Sequence, residues 1–111
     1  MKIKSENTSG LLLIHVEGRL DAITSPEFER EAMPMIQQSG EPVLIDFGKL
    51  DYISSAGLRT LLILAKEMKK ADNALALCCL NEAIMEIFSI SGFQTIFSIY
   101  PTIEEAVSSL K

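Results

Sequence analysis

Few side chains in this sequence are equipped for catalysis. Its one histidine, His15, lies inside the apolar run Leu11-Leu12-Leu13-Ile14-His15-Val16-Glu17. A general base needs partners within reach, and a lone strand histidine reads more simply as a packed or surface residue. No GxSxG, Walker A or GxGxxG spacing is present, so no cofactor is predicted. Asp46 and Asp51 flank what reads as a loop after a buried strand, and without metal-ligand spacing they read as solvated carboxylates. Cys78 and Cys79 are adjacent. Standing in one strand they point to opposite faces, a mutual disulfide would strain the peptide, and the spacing is not that of a metal site. Two reduced thiols, at least one buried, and no metal are predicted.

The stretch Leu50-Asp51-Tyr52-Ile53-Ser54-Ser55-Ala56-Gly57-Leu58-Arg59 is more informative. It opens a helix, and Ser54 or Ser55 is suited to the N-cap, where a hydroxyl accepts from a free helix N–H. A capped helix is the simplest reading. Yet capping needs one serine and the sequence supplies two. The small residues Ser54, Ser55, Ala56 and Gly57 leave the helix end uncovered for another protein. A phosphate on a serine there sits where a helix favours negative charge and adds about −1.5 to −2 charges.

The surrounding elements must place that helix end. Lys2–Glu6 reads as extended, Asn7-Thr8-Ser9-Gly10 as a turn, and Leu11–Glu17 as a strand, together a hairpin. Thr24-Ser25-Pro26-Glu27 reads as a capping box with Pro26 in the first turn. Phe28, Ala32, Met35 and Ile36 then form one apolar stripe, and Pro34 predicts a kink or an early end. Val43–Phe47 reads as a strand buried on both faces. Leu58, Leu61, Leu62, Ala65 and Met68 mark a helix running to about Ala71, with lysines at its negative end. Ala74–Cys79 is a third buried strand. Asn81 caps a helix that Gly92 ends, Thr95–Tyr100 is a last strand, and Thr102-Ile103-Glu104-Glu105 opens a final helix. The alternation after Val43 predicts right-handed crossovers and a parallel sheet. The fold class is therefore α/β: a mixed sheet, an N-terminal hairpin plus parallel strands, with helices packed on it. The loop Asp21–Thr24 and the segment Tyr52–Ser54 should emerge at the same carboxyl edge, where such sheets place their sites. Asp21 and Thr24 are thus expected near Ser55. Thr24 has a structural reason as an N-cap, whereas Asp21 has less and is the stronger binding candidate.

Composition narrows the function. The chain has 111 residues, 48% apolar and 23% charged, which predicts one globular domain over residues 1–111. Fifteen acidic against ten basic residues give a net charge of −5, and no basic run exceeds Lys69-Lys70, so nucleic-acid binding is disfavoured. The start lacks a signal-peptide apolar region. The longest apolar run, Ala74–Leu80, is far short of the roughly 20 residues of a membrane helix. No membrane association and a cytoplasmic location are expected.

At this point the residues carry a resemblance. Tyr52-Ile53-Ser54-Ser55-Ala56-Gly57-Leu58-Arg59 resembles the signature of the STAS domain, as found in bacterial anti-sigma factor antagonists. Gly18-Arg19-Leu20-Asp21-Ala22-Ile23-Thr24 is similar to that family's glycine, leucine-aspartate, threonine motif. Val43–Phe47 matches the strand before the signature, and Ile90-Ser91-Gly92-Phe93 the late helix end. The resemblance implies an STAS-like fold from about Lys2 to Leu110. It also implies a regulator rather than an enzyme. In that family the unphosphorylated antagonist binds an anti-sigma factor that is also a serine kinase, freeing the sigma factor; phosphorylation releases the antagonist, and a serine phosphatase resets it. Aligned on Gly57-Leu58, Ser55 falls on the phosphorylated position, with Ser54 its near neighbour and second choice. Ser54 replaces the family's aspartate, Ala56 its second hydroxyl, and Arg59 a common glycine. The resemblance implies a partner surface of Asp21, Thr24, Ser54, Ser55, Ala56, Gly57 and Arg59. An accessory subunit docked on an ABC-type lipid transporter fits the same resemblance. A hydrolase using Ser54 or Ser55 has no base nearby in sequence.

Overall fold

A computed structural model of the chain describes residues 1–110. Strands β1 (Lys2–Thr8), β2 (Leu11–Leu20), β3 (Val43–Ile53), β4 (Leu75–Cys78) and β5 (Ser98–Tyr100) form one sheet in the order β1-β2-β3-β4-β5. The first pair is an antiparallel hairpin turning at Ser9-Gly10, and every later pair is parallel. Helices α1 (Ser25–Ser39), α2 (Ser55–Lys70) and α3 (Glu82–Ser91) fill the crossovers, and α4 (Ile103–Leu110) follows β5. Strand order advances in one direction, so right-handed crossovers place α1, α2 and α3 on one face.

Alternation along the strands divides the core accordingly. Leu12, Ile14, Val16, Val43, Ile45, Phe47 and Leu77 point toward α1–α3 and meet Phe28, Leu61, Leu64 and Phe88. Leu11, Leu13, Leu44, Ala76 and Cys78 point the other way, where α4 covers them with Ala106. Both faces are buried, which is why β3 begins as an unbroken apolar run.

Four features differ from the sequence reading. First, β3 does not stop at Phe47 but continues to Ile53, so Asp46 and Asp51 stand on a strand. Register shifts against β2, between His15 and Glu17 and between Gly18 and Arg19, break the two-residue alternation. Phe47, Leu50 and Ile53 are buried at a spacing of three, and that rhythm imitates a loop. Second, α1 runs past Pro34 to Ser39; Pro34 lies on the exposed side, where water can satisfy the carbonyl that loses its N–H partner. Third, β5 is short, because Phe93–Thr95 forms a 3-10 turn and Phe97 packs edge-on against Phe88. Fourth, β4 ends at Cys78, and Cys79 takes a left-handed φ of 64°. The two thiols therefore do not point to opposite faces.

Candidate functional site

The neighbouring parallel strands β2 and β3 end together, with Leu20 beside Ile53. The Ser54 N–H donates to the Leu20 carbonyl at 2.8 Å, tying the start of α2 to the start of the 21–24 loop. Ser54 is extended (φ −102°, ψ 176°), and its hydroxyl accepts from the Gly57 N–H at 3.4 Å, a long cap bond. Ser54 is thus the N-cap. Ser55 is the first helical residue and is exposed. Of the two serines that the sequence offered as the cap, Ser54 takes it and Ser55 does not.

Gly57 is buried, and the reason for its identity is contact distance. A Cβ there would lie 2.7 Å from Ile53 Cγ1 and 3.0 Å from both the Leu20 Cβ and the Leu20 carbonyl oxygen. Only a glycine lets α2 descend this far onto the ends of β2 and β3. Gly57 thus acts on this edge by position, not by exposure. Ala56 is half-buried and Arg59 exposed; Arg59 follows Ser55 by four residues and shares its helix face.

The neighbouring loop is held by its own polar groups. Asp21 Oδ1 accepts from the Ile23 and Thr24 N–H groups, both at 3.0 Å. The Thr24 hydroxyl donates to the Arg19 carbonyl at 2.7 Å and accepts from the Asp21 N–H at 2.9 Å. The bond from the Thr24 amide, with those from Ile23 and the Thr24 hydroxyl and the charge of Arg19, outweighs desolvation and holds the Asp21 carboxyl below its ordinary value of 3.8. Two expectations need correction. Thr24 makes no side-chain cap to α1, because its hydroxyl is spent inside the loop. Asp21, expected to have less structural reason than Thr24, has a clear one: it replaces water at two backbone donors.

Three neighbours were not singled out by the sequence. Arg19 approaches Asp21 Oδ2 at 3.7 Å and lies 4.3 Å from the centre of the Tyr52 ring, a cation–π pair on adjacent strands. Tyr52 is 38% exposed and Ile23 85% exposed. An isoleucine lying between a turn aspartate and a Thr-Ser-Pro helix start, off every apolar stripe, was the available signal. The edge therefore combines an apolar tip, an aromatic ring, two arginines and an exposed serine.

Asp46 is not part of this edge. It stands seven residues before Ile53 on an extended strand, roughly 20 Å away at the usual rise. Its Oδ2 meets His15 Nδ1 at 2.7 Å. The single histidine is thus engaged in mid-sheet, and no imidazole serves Ser54 or Ser55 as a base.

The class this fold and edge define is a small α/β domain with four parallel strands, one antiparallel edge strand and a serine-bearing helix start at the carboxyl edge. The chain belongs to the STAS domain family, whose model matches residues 2–106. It is 34% identical over 111 residues to BtrV of Bordetella bronchiseptica, provisionally named an anti-sigma factor antagonist, covering 100% of this chain and 96% of that one. Its fold matches the crystal structure of an anti-sigma factor antagonist from Mycobacterium paratuberculosis with a TM-score of 0.89 at 21% identity, over 98% of this chain and 92% of that chain. It matches the Bacillus cell fate determinant SpoIIAA in its phosphorylated form with a TM-score of 0.73 at 20% identity, over 99% and 100% of the two chains. Two further relatives, from Paenibacillus polymyxa and Bacillus subtilis, are named an anti-sigma F factor antagonist and an anti-sigma-B factor antagonist. Among the described residues, no helix is long and apolar enough to cross a membrane.

Proposed function

We propose that this chain is an anti-sigma factor antagonist of the partner-switching kind, acting in the cytoplasm. Its unphosphorylated form binds an anti-sigma factor serine kinase and so frees the sigma factor; phosphorylation of Ser55 ends that binding, and a serine phosphatase restores it. The observation that carries this reading is the division of labour at the helix start: Ser54 caps α2, and Ser55 is left exposed with no part in the cap. Beside it, Ile23, Tyr52 and Arg59 give a partner an apolar anchor, a ring and a charge to engage. Asp21, Thr24 and Gly57 serve binding by fixing the loop and the helix.

The sign of the switch follows from the same geometry. A phosphate on Ser55 would meet the positive end of α2 and the guanidinium of Arg59 one turn on. Those partners hold it in the free protein, and an interface would have to desolvate a group of nearly two charges. With Asp46 remote, the acidic surroundings reduce to exposed Asp51 and to Asp21, itself beside Arg19. Desolvation is therefore the main obstacle, more than repulsion. Intact mass after incubation with ATP and host lysate should show one added phosphoryl group, abolished by Ser55→Ala. Immobilised protein should retain a soluble ATP-binding kinase. Retention of a membrane transporter complex in its place would contradict the reading.

A further inference from the structure

Away from that edge, the parallel neighbours Asp46 and Cys78 and the following Cys79 converge on the sheet face that carries α4. The left-handed backbone of Cys79 turns its side chain back toward that face, while its N–H donates to the Tyr100 carbonyl at 3.1 Å. As a result both sulfurs and a carboxylate oxygen of Asp46 lie within 4.8 Å of one another. We propose that Asp46, Cys78 and Cys79 form a binding site for one thiophilic divalent cation of the zinc class.

The distances suit such an ion. With metal–sulfur bonds of about 2.3 Å, tetrahedral geometry sets two thiolates roughly 3.8 Å apart, and a thiolate and a carboxylate oxygen roughly 3.5 Å apart. Closing from 4.8 Å or less asks each atom for a movement on the order of an ångström, within reach of side-chain rotation. The donor set discriminates as well. Two sulfurs favour zinc-class ions, whereas calcium and magnesium need a cage of oxygens that this corner does not supply.

The supports are in place around the donors. Asp46 Oδ1 accepts from the Gly48 N–H at 2.8 Å, and Oδ2 pairs with His15 Nδ1 at 2.7 Å. His15 Nε2 in turn faces Glu6 Oε1 at 3.5 Å. A metal-binding carboxylate is ordinarily held by such outer partners, and His15 is here the positioning residue. Leu44, Ala76 and Ala106 make a dry wall on one side, while Cys79 remains partly open to solvent. That opening gives the ion a path in and leaves a fourth position for water. Sequence spacing concealed the site, because a Cys-Cys pair in regular strand geometry cannot present both sulfurs to one ion.

The test uses the full chain, reduced and freed of metal by chelation, titrated with cobalt(II). The expected result is thiolate-to-cobalt charge-transfer absorption that saturates at one equivalent per chain and is lost when zinc(II) is added. Zinc affinity, read by competition with a chromophoric chelator, should fall at least about tenfold in Cys79→Ser and in Asp46→Asn, with far-UV circular dichroism confirming that each variant is folded. Should Cys79→Ser fail to fold, Asp46→Asn decides. Absence of the charge-transfer bands in the wild type, or wild-type zinc affinity in either folded variant, overturns the proposal.

Discussion

Replacing Gly57 by alanine tests whether close approach of α2 sets the candidate edge. The added methyl would stand 2.7 Å from Ile53 Cγ1 and 3.0 Å from the Leu20 carbonyl oxygen. Ile53 is 1% exposed and Leu20 fully buried, so neither can turn aside into solvent. Overpacking of this kind costs about 1–3 kcal/mol. Alanine's better helix propensity offsets at most about 1 kcal/mol. The net expectation is a loss of about 1–2 kcal/mol. With a urea slope of about 2 kcal/mol/M, the midpoint should fall by about 0.5–1 M with the slope unchanged. The same shift should lift the start of α2 from the Leu20 carbonyl, so the Ser54 amide should lose protection in hydrogen exchange. A midpoint equal to or above that of the wild type would refute the reasoning: the helix could then move outward freely, and contact at Gly57 would not be what seats Ser55.

Other expectations concern the two serines and the loop. Ser54→Ala should cost about 0.5–1 kcal/mol in urea unfolding, the low end for a cap because its bond is long, whereas Ser55→Ala should leave stability within about 0.5 kcal/mol of wild type; equal losses would contradict the assignment of the cap. Because Asp21 is held below its ordinary value of 3.8 in the fold, its charge contributes stability above the unfolded value, and that contribution is lost as pH falls through the folded one. The stability gap between wild type and Asp21→Asn should therefore be widest near neutral pH and close in acid, and a pH-independent gap would exclude the charge as its source. Asp21→Lys should lower both melting temperature and partner binding, since the carboxylate serves two backbone donors; an unchanged melting temperature would refute that structural role.

Strand and helix order were legible because each element carries its own apolar rhythm, and Gly92, Asn81 and Thr102 mark their helix ends as capping chemistry requires. Asn81 accepts from the Ile84 N–H at 2.8 Å, and Thr102 from the Glu105 N–H at 3.1 Å. What escaped was geometry made by irregular backbone. The bulged second half of β3 buries every third residue, a rhythm that neither strand nor helix templates match. Thr24 has the right neighbours for a cap, but the Arg19 carbonyl at the end of the preceding strand claimed its hydroxyl. Which serine caps α2 turned on one residue of helix phase, which the Leu20 carbonyl settles by fixing the Ser54 amide. Arg19 and Tyr52 meet only because β2 and β3 pair there in register, and a single sequence has no term for that proximity.

The most direct test of the account is a titration of wild type, Ser55→Ala and Ser55→Asp against the purified ATP-binding partner kinase. The account predicts that Ser55→Ala binds as the wild type does and cannot be released by ATP. It predicts that Ser55→Asp, with one charge in place of nearly two, binds weaker on the order of tenfold, about 1.4 kcal/mol. Binding of Ser55→Asp as tight as that of the wild type would contradict switching at this serine and would favour permanent docking on a partner.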